Sequence, residues 1–299
     1  MRTHLPGSTV LERTGITPVA AAFLEAQPML VLGAADPAGR VWASLLTGRP
    51  GFARATGPHT FSVAGGIPAH DPLGTAVTGS DTDMDTDTAG TPVGTLAVDP
   101  RTRRRLRLNG LARPSARGLR VETERVFANC SAYVSQRRLY GTGDAGVVLG
   151  PGVGAVRRGT ALSRAQQRLV KAADTFFVAS ATPDGADVSH RGGRPGFVTV
   201  ESPTELSWPD YPGNDMFRTL GNFAADGRAG LLLLDWPTGT TLQLSGLAHT
   251  EYGPGGRTVR FRLDHTVQAR TPIRWSAPVT PTPQPAAHPA SNLTAKDHL

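Results

Sequence analysis

The sequence contains a single cysteine, Cys130, so no disulfide bond can form within the chain. It also lacks an apolar run close to the roughly 18 residues that a membrane-spanning helix needs. Residues 1–15 are polar and have no apolar core of the kind found in secretory signals. These absences argue against a disulfide-stapled domain and a helical membrane span, and they predict a cytoplasmic protein with no membrane partner.

The motifs of several enzyme classes are missing as well. There is no G-x-S-x-G elbow, no phosphate-binding P-loop, no C-x-x-C pair and no H-E-x-x-H metal motif. The eight histidines are scattered, so a metal site would require at least three of them to converge on folding, and we predict none. Cys130 has no histidine beside it in sequence, which favours a buried structural cysteine over a nucleophile.

The chain is basic, with a formal net charge of +7, and part of that charge lies in the run from Arg101 to Arg107. A basic protein can bind nucleic acid or another polyanion. The repeat described next places this run at a hairpin turn, so we expect a solvated turn. A nucleic-acid patch and a contribution to phosphate binding are the alternatives, and the absence of interleaved aromatic residues argues against nucleic acid.

The two halves of the chain share short sequences at constant spacing. The tetrapeptide Arg49–Phe52 recurs 145 residues later, and the segment Leu106–Ala112 recurs 136 residues later as Leu242–Ala248. The nine-residue difference indicates an insertion in the first half, which corresponds to an acidic, low-complexity loop at residues 78–91. We therefore interpret the chain as a tandem duplication.

Each half begins with a short helix and continues with short strands bounded by glycine and proline turns. Thr17-Pro18 and Ser163 have the form of helix N-caps, and Asp36–Gly39 and Thr182–Gly185 have the form of hairpin turns. Many short strands predict a barrel. We expect a mainly β protein with short helices, divided into a leader (1–16), a first barrel (17–150), a second barrel (151–275) and a disordered tail (276–299).

Two neighbouring runs carry the strongest indication of chemistry. The run Ser189–Phe197 combines a hydroxyl, arginines and two consecutive glycines at the expected end of a strand. Backbone N–H groups and a guanidinium could converge there on a phosphate. The run Trp208–Asn222 adds aromatic rings, amides and a hydroxyl. Together these groups suit a flat heterocycle that carries a phosphate.

These runs resemble the pyridoxamine 5′-phosphate oxidase-like family of FMN-binding split barrels, and most closely its two-barrel subgroup. The matching segments are Asp187–Val198, Trp208–Asn222 and Gly230–Ala248, and the resemblance covers roughly residues 17–270. It implies two tandem FMN-binding split β-barrels that form a pseudo-dimer within one chain. Because single-barrel relatives bind FMN between two subunits, this chain is expected to be a monomer that supplies both walls, or a homodimer.

The resemblance implies FMN as the cofactor and a phosphate site on the second barrel. Arg191 is expected to pair with the phosphate, with hydroxyl donors from Ser189 and Thr219 and close backbone approach at Gly192 and Gly193. At the repeat spacing Arg191 corresponds to Leu46 of the first half. We therefore predict that the first-half site is degenerate and that the chain holds one flavin.

The remaining contacts to the flavin are also implied by the resemblance. Candidates for the isoalloxazine edge and the ribityl chain are Asp210, Tyr211, Asn214 and Asn222. Gln243 is expected to project from its strand either to the ring or to solvent. Residues 127–138 resemble the segment that ends the first barrel in the family, which implies that the opposite wall is formed by Asn129, Tyr133, Gln136 and Arg137.

The resemblance implies an FMN-dependent oxidoreductase that transfers a hydride between flavin N5 and a small-molecule substrate. The alternative is a protein that binds a flavin, a deazaflavin or haem without turnover of its own. His190 lies within the run Ser189–Phe197, and the sequence does not decide whether its role is that of a general acid or of a bystander.

Overall fold

The computed structural model describes residues 13–78, 90–129, 133–139, 155–211, 218–254 and 256–279. The elements of the first half are α1 (Pro18–Glu25), β1 (Met29–Ala35), β2 (Val41–Thr47), β3 (Ala53–Gly57), β4 (Thr60–Ala64), α2 (Gly74–Thr78), β5 (Thr91–Asp99), β6 (Arg104–Ser115) and β7 (Gly118–Asn129). Those of the second half are β8 (Arg157–Gly159), α3 (Arg164–Ala172), β9 (Thr175–Thr182), β10 (Gly185–Gly192), β11 (Thr199–Ser202), β12 (Glu205–Asp210), α4 (Arg218–Ala225), β13 (Arg228–Asp235), β14 (Thr240–Gly253) and β15 (Gly256–Arg270). The predicted class, mainly β with short helices, is confirmed.

The strands form two large antiparallel sheets with the same order. The first sheet runs β2-β1-β5-β6-β7-β4-β3, and the second runs β10-β9-β13-β14-β15-β12-β11 with β8 added beside β15. Each strand of the first sheet therefore has a counterpart in the second. The sheets are not closed, and this arrangement matches the expected tandem split barrels.

Local sequence signals set the ends of several elements. Thr17 caps α1, its side chain accepting from the backbone N–H of Ala20, and Pro18 stands at the first helical position. Ser163 caps α3 in a capping box with Gln166. The hairpin turns before β2 and β10 end at Gly39 and Gly185, whose φ angles of 79° and 128° suit glycine.

Three apolar clusters hold the sheets together. One consists almost entirely of residues from the first half, and another consists of residues from the second half. The third contains residues of both halves, including Val31 and Leu96 from the first and Phe177, Val188 and Leu232 from the second. The two halves therefore share a continuous apolar interface of the kind that drives stable association.

Corresponding glycines allow the two sheets to approach closely. A Cβ on Gly94 in β5 would lie 2.5 Å from Asp187 Cα in β10, and a Cβ on Gly230 in β13 would lie 2.6 Å from Trp42 Cα in β2. Gly94 and Gly230 are 136 residues apart, and Trp42 and Asp187 are 145 apart, which are the two spacings of the sequence repeat. The close contact between a glycine of one sheet and a strand of the other therefore occurs twice, at corresponding positions of the two halves.

The residues just before α1 and those after β15 form backbone hydrogen bonds with other parts of the described chain. In the expected leader, the backbone of Arg13 pairs with Val126, and Ile16 donates to Pro58. In the expected tail, the backbone N–H groups of Ser276 and Val279 donate to residues 138 and 136. Residues 13–16 and 276–279 therefore belong structurally with the barrels, whereas 1–12 and 280–299 lie outside the described residues.

The predicted acidic loop falls almost entirely outside the described residues, since only its two ends, in α2 and β5, are included. Within the described part of the chain, no helix has the length and apolar character needed to span a bilayer.

Candidate functional site

The run Ser189–Phe197 begins on β10, where the alternation of a strand sends Asp187, Ser189 and Arg191 to one face. Ser189 is fully buried, and its Oγ lies 2.9 Å from Oγ1 of Thr219 in the first turn of α4. The Arg191 guanidinium donates to Ser189 Oγ at 3.0 Å. The structure therefore brings together three of the predicted residues, which we call the Ser189 cluster: Ser189, Arg191 and Thr219.

Asp210, at the end of β12, lies between two arginines. Its Oδ2 accepts a hydrogen bond of 3.0 Å from Arg257, while its Oδ1 is 3.8 Å from Arg191 Nη2. The second separation allows electrostatic attraction but no hydrogen bond. Burial lowers the pKa of Arg191, and the attraction to Asp210 opposes that shift. Arg191 remains charged near neutral pH with donor capacity still available.

Aromatic rings from both halves meet beside this cluster. The Tyr211 ring lies 5.5 Å from the ring of Tyr133, which belongs to the segment after β7, and 6.5 Å from the ring of Phe197. Burial raises the pKa of Tyr211. Tyr133 has a φ of 61°, a left-handed conformation that non-glycine residues adopt infrequently. Tyr133 and Tyr211 were both predicted to line the site, and they come from opposite barrels.

The two consecutive glycines are tightly enclosed by protein. A Cβ on Gly192 would overlap the Tyr133 carbonyl oxygen, and one on Gly193 would lie 2.8 Å from Phe197 Cβ. The Gly193 N–H donates to the Asp174 carbonyl at 3.0 Å. Gly192 therefore permits close approach of the Tyr133 segment and Gly193 that of Phe197, and the expected contact of both glycines with a phosphate stays a prediction.

Arg107 is a buried site residue that sequence reasoning placed wrongly in a solvated turn. The turn comprises residues 100–103, and β6 already begins at Arg104. Because Leu106 and Leu108 face the first core, the alternating residues Arg107 and Asn109 face the second sheet. Arg107 pairs there with Asp187 at 2.9 Å, with side chains only 7% and 2% exposed.

Asn109 and Phe127 complete this connection between the halves. The Asn109 amide donates to Asp187 Oδ1 at 2.8 Å. The buried ring of Phe127 lies 5.4 Å from the guanidinium carbon of Arg107 and 5.8 Å from that of Arg218, the first residue of α4. Polar residues alternating with leucines along β6 were the signal that could have identified this face from sequence.

Gln243 forms hydrogen bonds with residues of the first half. It is buried, and its amide donates to the Ala43 carbonyl at 3.1 Å, to Ser44 Oγ at 3.0 Å and to Asp71 Oδ2 at 3.0 Å. Its face of β14 points toward the first half, so the solvent alternative is wrong, and the contact of Gln243 with the flavin ring stays a prediction. Gln243 is the counterpart of Arg107 at the spacing of 136 residues.

Gln136 and Arg137 are also engaged away from the Ser189 cluster. Gln136 is exposed and donates to the Arg101 carbonyl at 3.0 Å. Arg137 is buried, forms an ion pair with Asp174 and lies 4.5 Å from the ring centroid of Trp236. Their side chains anchor the segment that carries Tyr133, and their contact with a flavin stays a prediction.

The predicted asparagines have different outcomes. Asn222 lies one helical turn after Thr219, but its amide donates to Ser180 Oγ at 2.8 Å. Asn129 ends β7 opposite Arg105. The side chain of Asn129, together with the whole of Cys130 and Asn214, lies outside the described residues.

The first half has a corresponding cluster with different chemistry. Ser44, the counterpart of Ser189, has its Oγ 2.6 Å from Oδ1 of Asp71, which also accepts from the Leu73 N–H at 2.9 Å. Burial raises the pKa of Asp71, and its hydrogen bonds oppose this shift. In this cluster Leu46 occupies the position that corresponds to Arg191, and Gln243 occupies the position that corresponds to Arg107. A carboxylate therefore faces Ser44, whereas a hydroxyl faces Ser189.

His190 lies on the opposite face of β10 from the Ser189 cluster. It is buried, and its Nε2 has no hydrogen-bond partner among the described residues. Burial holds the pKa of His190 well below its usual value, and the charges of four arginines act in the same direction: Arg105, Arg191, Arg137 and Arg107. His190 is therefore neutral near pH 7 and lies in a strongly positive environment.

No protein-family model and no curated protein matches the chain. It is similar to a solved structure of a candidate pyridoxamine 5′-phosphate oxidase from Lactobacillus delbrueckii, with 16% identity and a TM-score of 0.31 over 36% of this chain and 94% of that one. A flavin adenine dinucleotide (FAD)-binding protein from Mesorhizobium loti has 12% identity and a TM-score of 0.29, over 39% and 99%. One from Mycobacterium smegmatis has 13% identity and a TM-score of 0.27, over 38% and 98%. The first of these structures carries the name of the family that the motifs resemble.

Proposed function

We propose that the Ser189 cluster holds the phosphate of FMN. The observation that carries this proposal is the buried meeting of two hydroxyls with the Arg191 guanidinium, at 2.9 and 3.0 Å. Hydroxyl and guanidinium donors are the groups that bind phosphate in proteins, and the guanidinium bonds are charge-assisted.

The charge around the cluster fits an anionic ligand. Asp187 and Asp174 are each paired with an arginine of the first-barrel half, and Asp210 is shared between Arg191 and Arg257. These arginines and Arg105 outnumber the three carboxylates, and the charges of four of them add to burial in lowering the pKa of His190. A bound phosphate would reduce the cost of burying so many like charges.

The opposite wall of the proposed site comes from the first half. Arg107 and Phe127 bring β6 and β7 against the start of α4, and Tyr133 brings an aromatic ring against Tyr211. Apolar rings of this kind suit a flat heterocycle and exclude water from it. A single chain would thereby supply both walls of a site that lies between barrels.

We infer that the protein is an FMN-dependent oxidoreductase acting on a small molecule. When bound, FMN would supply hydride acceptance and donation at N5. The chain's own residues would bind the phosphate, orient the ring between the barrels and exclude water. His190, which is neutral, cannot act as an imidazolium acid but can donate or accept one hydrogen bond.

The cluster around Asp71 supports one flavin per chain. A carboxylate that already accepts bonds from Ser44, Leu73 and Gln243 fills the position corresponding to the proposed phosphate site. The ionised form of Asp71 would repel a phosphate. We further propose that the equal strand order and the repeated glycine contacts arose by tandem duplication, and that the chain belongs to the two-barrel subgroup.

The test combines an absorbance spectrum with titration by FMN. We expect Arg191→Ala to weaken FMN binding by about 10- to 100-fold, the range for loss of a charge-assisted hydrogen bond. Arg194→Ala is the matched control, because Arg194 lies in the same run but is exposed. Equal effects of the two variants, or no FMN uptake by the wild type, would contradict the proposed site.

Turnover is tested separately on the flavin-loaded protein. Reduction by NADH, NADPH or another small hydride donor, followed by reoxidation, would support an oxidoreductase. A protein that binds FMN stoichiometrically but is reduced by none of these donors would favour the alternative of a non-catalytic flavin-binding protein.

A further inference from the structure

A cavity beside α1 has a composition unlike that of the other cavities. It measures about 610 Å³, within the range of small-molecule sites, and opens between α1 and the adjoining ends of β6 and β7. We call it the α1 cavity. Its principal lining side chains are Arg13, Phe23, Arg104, Arg105, Val126 and Phe127.

The charge of the α1 cavity has one sign. Arg13, Arg104 and Arg105 line it, and the described lining includes no aspartate or glutamate. A second cavity, beside β12 and β14, contains Arg260 in ion pairs with Glu201 and Glu251. A third, beside α3, contains the ion pair of Arg137 and Asp174. Of these three cavities, the α1 cavity is thus the one whose cationic lining has no acidic residue within it.

The remaining lining of the α1 cavity is largely apolar. Phe23 forms an aromatic wall, the almost fully buried Phe127 adjoins it, and Val19 stands at the rim with 70% of its surface exposed. The Arg104 guanidinium carbon lies 5.1 Å from the Phe23 ring centroid, which holds a positive charge over an apolar wall. The backbone of Arg13 pairs with Val126 in both directions, at 3.0 and 2.6 Å, which fixes the third side.

We propose that the α1 cavity binds an amphiphilic carboxylate, a molecule with one anionic head and an apolar chain or ring. The arginines would receive the head, and the Phe23 ring and Val19 would cover the apolar part. Neither a small inorganic anion nor an uncharged apolar molecule would use both features. This site is separate from the Ser189 cluster and goes beyond the function proposed above.

Phe127 relates the two sites. It is one of the lining residues of the α1 cavity, and its ring contacts Arg107 and Arg218. A molecule in the cavity would therefore lie one side chain away from the proposed cofactor site. That the carboxylate is the substrate of a flavin reaction rests on the proposed function, whereas its binding in the cavity does not.

The test uses octanoate as the probe, with acetate and octanol as controls that lack the apolar chain or the charge. Isothermal titration calorimetry on the purified full chain should show octanoate binding at least ten-fold more tightly than either control. Arg104→Gln should weaken octanoate binding by about three- to ten-fold. Ala20→Phe, which fills the cavity without removing a charge, should weaken it further.

Arg168→Gln is the matched control, because Arg168 is an exposed arginine that lines the cavity beside α3. It should leave octanoate binding unchanged. Equal loss in Arg104→Gln and Arg168→Gln, or octanoate binding no tighter than acetate or octanol, would overturn the proposal. Octanoate binding that survives in Arg191→Ala separates this site from the FMN site, so failure of one proposal is distinguishable from failure of the other.

Discussion

The ion pair between Arg107 and Asp187 provides the sharpest test of how the two halves depend on each other. Both side chains are almost fully buried, and the carboxylate also accepts from Asn109. We consider three variants of the cofactor-free protein: Arg107→Met, Asp187→Asn, and the two combined. Methionine retains an apolar contact with Phe127 but removes the charge.

The expected magnitudes follow from burial. Arg107→Met leaves a buried carboxylate without its counter-charge and should cost about 3–5 kcal/mol of unfolding free energy. Asp187→Asn leaves a buried guanidinium and should cost a similar amount, about 3–5 kcal/mol. The double variant contains no uncompensated charge, and its asparagine can still accept from Asn109. It should therefore lose much less than the sum of the single changes, giving a coupling energy of about 2–4 kcal/mol.

Urea unfolding followed by fluorescence and by far-ultraviolet circular dichroism measures these differences, and coincidence of the two probes establishes a single transition. The four proteins form a double-mutant cycle. Additivity of the single changes to within about 0.5 kcal/mol would refute the reasoning, because it would mean that the two charges do not stabilise each other across the interface.

Three further outcomes are expected in unfolding experiments. Because the pKa of His190 is lowered on folding, the wild type should lose stability as the pH falls below 6.5. His190→Leu should reduce that loss by up to about 1.4 kcal/mol per pH unit. Parallel pH profiles of the unfolding free energy for the two proteins would contradict this. Gly94→Ala should cost about 1–3 kcal/mol because its Cβ meets the opposite sheet, whereas Gly221→Ala, exposed in α4 with open space around it, should gain about 0.5–1 kcal/mol. Arg137→Met should cost about 3–5 kcal/mol by leaving Asp174 unpaired, and an effect below 1 kcal/mol would argue against a tight anchor.

Much of the fold could be predicted because its signals are local or repeated. The cap at Thr17, the turn before Gly39 and their second-half counterparts are set by neighbouring residues. The two repeat spacings correctly aligned the strands of one half with those of the other. The boundary residues of the barrels stay predictions, since the described chain is interrupted between residues 139 and 155.

Part of the candidate site could be predicted because its residues lie in motifs that are recognisable in the sequence. Ser189, Arg191 and Thr219 lie in the two recognisable runs, and the structure brings them together. Arg107 was missed because its partner, Asp187, is 80 residues away in the chain and becomes a neighbour only when the sheets pack. The first-half partners of Gln243 could not be predicted, because an alternating strand pattern identifies a face but not the surface opposite it.

The carboxylate of Asp71 opposite Ser44 has a consequence for how such a protein can change over time. In a symmetric dimer of identical subunits, one altered codon appears at both sites, so a carboxylate that blocks one pocket blocks its twin. In this chain the two clusters are encoded separately, and each can mutate while the other is preserved. Asp71 can therefore be optimised for holding the barrels together through Gln243, while Ser189 and Arg191 remain under a different selective demand.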